Sequence, residues 1–199
     1  MKREGFCNLS KKQADDRFKC ITYGSIHYEM DFNLAKGDMY SGNIDIKFKT
    51  NDVEFGECVF LEFVGKFFKI TSLNGEMPEL VDDSHNYMRK EGIITLPEKY
   101  LKRNAENHVT IQIETPYYTD GKGLHSMRDV DGAQYLWSTC EPHWFSRIAP
   151  VFDQPDLKAY WTLKCTTPAD WTAISNETIK SMEDDEANST IKWHFNPTL

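Results

Sequence analysis

Alternation with a period of two dominates the chain. Tyr28, Met30 and Phe32 point one way and His27, Glu29 and Asp31 the other, the pattern of a strand with one buried face. Lys36, Gly37 and Asp38 supply a reversal after Leu34. On the return, Ile44, Ile46 and Phe48 alternate with Asp45, Lys47 and Lys49, so the two runs make a hairpin. From Glu57 to Ile70 the chain is apolar on both parities with Gly65 in the middle, which predicts two central strands or one strand bent at the glycine. Asn74 and Gly75 form the next turn, and Pro78 to Arg89 is polar and weakly patterned. Ile93, Ile94 and Leu96 make a short strand before Pro97, and EKYLKR, from Glu98, fits a helical turn. Val109, Ile111 and Ile113 alternate with Thr110, Gln112 and Glu114 up to Pro116. Two more strands follow, one through Ala159, Trp161, Leu163 and Cys165 and one through Ile191, Trp193 and Phe195. Between them Pro168 to Asn176 reads as extended, and SMEDDEANS, from Ser181, reads as a solvated hairpin loop. Repeated strands with almost no helical periodicity predict one all-β domain, an antiparallel β-sandwich.

Composition narrows the partners. A chain of 199 residues buries enough surface to hold its own core without metal or disulfide. Its 23 basic and 31 acidic residues leave a net charge of −8, which argues against nucleic acid because phosphate contacts are made chiefly by Lys and Arg. The five cysteines (Cys7, Cys20, Cys58, Cys140, Cys165) are odd in number, widely spaced and without a CxxC pair, so reduced, mostly buried thiols are expected. MKREGFCNLSKKQADDRF has no apolar run for a signal peptide, and Glu4, Asp15 and Asp16 are out of place in a transit peptide. With no run near the roughly 20 apolar residues of a membrane span, the expectation is an intracellular, cytoplasmic chain without membrane insertion. The sequons at Asn8, Asn176 and Asn188 then read as coincidence.

The densest stretch is Gly123 to Ala159. It gathers Trp137, Trp144, Glu141, Arg147, Asp153 and Asp156 among three prolines, and reads either as a fixed, partly buried functional loop or as an aromatic-stapled connection between strands. The six histidines include no HExxH pair, and there is no GxSxG elbow or phosphate-cradling glycine loop. Cys140 beside Glu141 and His143 reads as a core thiol before it reads as a nucleophile. A partly desolvated Glu141 would attract an ammonium group; its structural role would be a salt bridge to Arg147 or another base. Asp153 and Asp156 flank Gln154 and Pro155, an arrangement suited to a turn and to capping the next element.

The run from Ser146 to Ala159, SRIAPVFDQPDLKA, closely resembles the signature of the N-terminal domain of the aminopeptidase N family of zinc metallopeptidases, with Arg147, Phe152, Asp153, Pro155 and Lys158 at its marker positions. Tyr28 to Leu34, Gly42 to Phe48, Gly123 with Leu124, and Ala173 to Asn176 resemble further segments of that domain. The resemblance implies a saddle-shaped β-sandwich over residues 18–199, with 1–17 as a polar N-terminal extension. It also implies that Glu141 and Thr139 stand where the family holds a peptide's free amino terminus, Thr139 replacing a glutamine and Val151 a cysteine. His125 and Ser126 replace a tyrosine and an arginine.

The family's zinc-binding HExxH helix belongs to a catalytic domain that this sequence does not contain, so zinc is implied only if another chain supplies that domain. In the family a further strand follows Leu199, which implies an unfinished sheet edge that a protein partner completes. Three readings follow: a noncatalytic structural or interaction protein held in a larger assembly, the substrate-recognition part of a zinc aminopeptidase whose catalytic part is elsewhere, and a module that binds peptide amino termini.

Overall fold

The structure, a computed structural model, describes residues 9–56, 58–78, 89–90 and 92–199. Residues 1–8, which include the Asn8 sequon, and the weakly patterned stretch between Pro78 and Arg89 with His85 lie outside the described residues. A helix, α1 (Lys11–Cys20), comes first. The strands are β1 (Ile26–Asn33), β2 (Met39–Lys49), β3 (Phe60–Glu62), β4 (Phe67–Leu73), β5 (Arg89–Lys90), β6 (Ile93–Thr95), β7 (Glu106–Pro116), β8 (Gly123–Arg128), β9 (Gln134–Thr139), β10 (Ala159–Pro168), β11 (Ile179–Asp185) and β12 (Thr190–Phe195). Seven form the main sheet in the order β11-β12-β10-β1-β2-β7-β4, while β3-β6-β5 make a small sheet and β8-β9 a two-stranded ribbon.

The fold is an all-β sandwich whose core lies on one face of the main sheet. Tyr28, Met30 and Phe32 from β1, Ile44, Ile46 and Phe48 from β2, and Val109, Ile111 and Ile113 from β7 are all buried. Leu61 and Ile94 of the small sheet, with Ile148 and Phe152 of the following loop, join them in one cluster. The opposite face is polar and laced by Lys164–Glu29 and Lys192–Asp31 ion pairs and a His108–Asp45 hydrogen bond, which at such exposure add little stability.

Several expectations are corrected. The sheet is not wholly antiparallel, because β1 pairs with β10 in parallel; side-chain alternation is the same in either direction and cannot show it. The apolar run around Gly65 divides into two strands of two different sheets, and β4 is an edge strand, not a central one. A Cβ on Gly65 would lie 2.1 Å from the Phe63 ring, so the chain turns there only because a side chain is missing. The acidic SMEDDEANS segment is not all loop. Ser181 to Asp185 belong to β11, whose seven residues are all exposed, and it showed no alternation because it has no buried face.

The polar start holds a helix. Ser10 and Gln13 form a reciprocal capping box, the arrangement that satisfies two orphan backbone donors at a helix start. Its buried residues are Arg17 and Cys20, so no apolar stripe announced it. The helix meets the rest of the domain through Arg17 and Cys20, while Lys11, Lys12, Gln13 and Asp15 stay exposed. The expectation of reduced thiols fails at one pair, because Cys20 and Cys58 form a disulfide across 38 residues; the bridge Ile21↔Thr50 and the return of the chain beneath α1 bring together two cysteines that sequence spacing keeps apart.

Candidate functional site

The stretch from Gly123 to Ala159 is not one loop. It opens with the β8-β9 ribbon, where Thr139 stands opposite Gly123, and continues as an irregular segment up to β10. Gly123 has φ +75, and a Cβ there would sit 2.7 Å from Cβ of Arg147, so glycine permits both the left-handed turn and the close approach. Phe145–Arg147 form a 3-10 turn. The Arg147 guanidinium holds both oxygens of Asp120 at 2.9 Å and lies over the rings of Tyr118 and Trp144 at 4.4 and 4.9 Å. Partial burial alone would raise the Asp120 carboxyl, but the hydrogen bonds and charge of Arg147 hold it below the usual carboxylate range. The salt bridge weighed for Glu141 and Arg147 is thus made by Asp120.

Below the 3-10 turn the segment is fastened to a buried polar cluster. Arg17, fully buried, donates from Nη1 to both carboxylate oxygens of Glu62 at 2.8 Å and from Nε to Oε1 of Gln154 at 2.9 Å. Gln154 donates in turn to the carbonyl of Ala14 in α1 at 3.1 Å. The backbone N–H of Asp153 donates to Oε2 of Glu62, and the Asp153 carboxylate accepts the N–H of Ser146, both at 3.0 Å. Desolvation raises both carboxyls, Glu62 despite the opposing charge of Arg17 and Asp153 despite its hydrogen bonds from Ser146. Phe152 packs edge-on against Phe48 at 5.2 Å and donates its N–H to the Tyr28 hydroxyl. Pro155, Asp156 and Lys158 are exposed. The cluster of Arg17, Glu62 and Gln154 escaped the sequence reading; its one signal was a lone glutamate inside an apolar run, which a protein rarely buries unpaired.

Glu141 differs from everything around it. It is exposed, joined to Pro142 by a cis peptide, and among the described residues its side chain makes no hydrogen bond or ion pair. Cys140 lines a groove of about 1130 Å³ between the ribbon and the main sheet, with Leu124, Leu136, Trp161 and Leu163. Pro142 and His143 line a smaller pocket of about 330 Å³ whose other walls include Ala14, Glu62 and Asp153. Glu141 itself lines neither of these two concavities and stands exposed between the two residues that do. His143 and Trp144 stack at 4.8 Å beside it, and Nζ of Lys122 lies 4.3 Å over the Trp144 ring. Burial raises the Cys140 thiol, with the charge of Asp153 adding to the effect, the opposite of the depression that a nucleophilic cysteine needs.

Among the described residues no group of three His, Cys, Asp or Glu side chains could hold a metal ion, so the zinc of the resembled family finds no ligand set there. Among the same residues no helix is long and apolar enough to cross a membrane.

The chain belongs to the Peptidase M1 N-terminal domain family, whose sequence model matches residues 24–199. It is similar to aminopeptidase N of Streptomyces lividans, with 28% identity over an alignment of 195 residues that covers 96% of this chain and 21% of that protein. Its fold is similar to that of an M1 zinc metallopeptidase from Deinococcus radiodurans, solved as a point mutant and as the same mutant bound to a Tyr-Ser-Ala substrate. Each has a TM-score of 0.62 at 16% identity, covering 89% of this chain and 39% of that one. The chain thus spans about a fifth of the length of the curated relative.

Proposed function

We propose that this chain is the noncatalytic, substrate-recognition part of a zinc aminopeptidase, presenting Glu141 to the free amino terminus of a peptide while the zinc site lies in a domain outside these residues. The observation that carries this reading is Glu141 itself, an exposed carboxylate without a partner among the described residues, next to residues that are hydrogen-bonded into the core. Thr139, at the end of β9, contributes a hydroxyl where a longer amide would reach further. An exposed carboxylate offers a charge-assisted hydrogen bond to an ammonium group, and the low dielectric that a second domain would create by closing over it strengthens that attraction.

The test is to purify this chain from its source with the polypeptides that accompany it and measure hydrolysis of a tripeptide with a free amino terminus. Glu141→Gln is expected to lower kcat/KM by at least tenfold, chiefly through KM. An unchanged kcat/KM contradicts the assignment.

A second reading has its own support. All seven residues of β11 are exposed, including Ile179 and Met182, and Ile174 nearby is 90% exposed. An uncovered sheet edge with apolar neighbours suits attachment to another polypeptide, as expected of a structural part of a larger assembly. A native mass equal to that of the lone chain counts against this reading.

A further inference from the structure

The disulfide has no task in amine recognition, yet it sits at a controlling place. It joins the last residue of α1 to the segment entering β3. The same helix supplies Arg17 to Glu62 and Gln154, and β3 is bridged to the loop by the hydrogen bonds between Glu62 and Val151 at 2.8 and 3.1 Å and from Val64 to the Ser146 carbonyl at 2.8 Å. Leu9 and Ala14 line the same pocket as Pro142 and His143. The disulfide, the buried ion pair and the Glu141 loop are therefore consecutive links of one assembly.

We propose that Cys20–Cys58 is a reversible redox modification site, a latch that holds α1 over the Arg17 cluster and so sets the order of the loop bearing Glu141. Both cysteines are nearly buried, Cys58 at 8% exposure and Cys20 at 3%, and the attack by a dithiol falls on the less buried Cys58. The dithiol's thiolate attacks the Cys58 sulfur and expels the Cys20 thiolate, which takes up a proton. The second thiol of the reductant then displaces Cys58, leaving two protein thiols and one oxidised, cyclic reductant, two electrons having passed to the protein. Among the described residues internal reshuffling does not compete, because burial raises the Cys140 thiol and pushes Cys165 up to about 12, which keeps both protonated and poor as attacking groups.

Loss of a crosslink spanning this many residues shifts the opening of α1 toward the released form by up to roughly a thousandfold in the chain-entropy view. The test uses the full chain and dithiothreitol. Thiols are alkylated and weighed before and after incubation with dithiothreitol under native conditions, and hydrogen exchange is followed in α1 and in residues 141–158. Expected is an unlabelled Cys20–Cys58 pair at the start, full labelling afterwards, exchange in both segments at least tenfold faster, and recovery on reoxidation. The double variant Cys20→Ser with Cys58→Ser should show the fast exchange without reductant; if it does not fold, the dithiothreitol series alone decides. Free thiols at the start, a bond that resists dithiothreitol until the chain is denatured, or reduction with unchanged exchange would each overturn the latch. The exchange readout does not depend on whether Glu141 meets an amine.

Discussion

Ser146, Asp153 and Gln154 are tied by hydrogen bonds to one another, to β3 and to α1, whereas Glu141, five residues before Ser146, is exposed with no partner among the described residues. The first region resembles a core made polar. Its carboxylates are desolvated, their protons held more tightly than usual, and its arginine is fully buried. The second region has an ordered backbone beneath a side chain left to solvent. The difference teaches how this fold divides its polar groups: the buried cluster holds the loop in place, and the carboxylate above it takes no part in that support.

The comparison is broken most severely from beneath. Arg17→Ala leaves Glu62 buried without its counter-charge and is expected to destabilise the domain by about 3–5 kcal/mol, read from urea unfolding midpoints. Replacing both partners, Arg17→Met with Glu62→Leu, should recover most of that loss, since an apolar pair of similar volume carries no desolvation cost; a double variant as unstable as the single one would show that the cluster's hydrogen bonds matter more than its charge. Gly123→Ala attacks the loop from the ribbon side. It places a methyl against Arg147 and a side chain at positive φ, with an expected loss of about 2 kcal/mol by thermal unfolding.

Acid sharpens the contrast between buried and exposed carboxyls. Glu62 and Asp153 have raised values in the fold, so the native state binds their protons more tightly than the unfolded chain. Their contribution to stability therefore grows as pH falls through the raised values toward the ordinary carboxylate range, and is lost as pH rises again. Asp120 is depressed, so its contribution is present above its ordinary range and is lost as pH falls through the depressed value. Asp153→Asn should make the slope of the unfolding midpoint against pH less negative above pH 4, by at most about 1.4 kcal/mol per pH unit; an unchanged slope would show that Asp153 is not held proton-rich. Smallest of all, Glu141→Gln should move stability by no more than about 0.5 kcal/mol, because it removes no contact within the described residues.

Much of this architecture was legible because a half-buried strand writes its environment into its sequence. The β1-β2 hairpin, β7, β10 and β12 each alternate apolar and polar residues, and each lies in the main sheet where that pattern puts it. What escaped had no such record. Helix α1 buries an arginine and a cysteine in place of an apolar stripe, β11 buries nothing, and the parallel pairing of β1 with β10 leaves side-chain alternation unchanged. At the site, resemblance pointed to Glu141 and Thr139. The support beneath them did not show, since Arg17, Glu62 and Gln154 meet across separations of 45 and 137 residues, and only folding brings them together.

The most direct measurement is calorimetric titration of the full chain and of Glu141→Gln with Tyr-Ser-Ala and its N-acetyl form. The expected result is that acetylation weakens binding at least tenfold in the natural chain and makes no difference in Glu141→Gln. Equal affinity for the two peptides in the natural chain would contradict the role given to Glu141 and leave the exposed sheet edge as the functional surface to pursue.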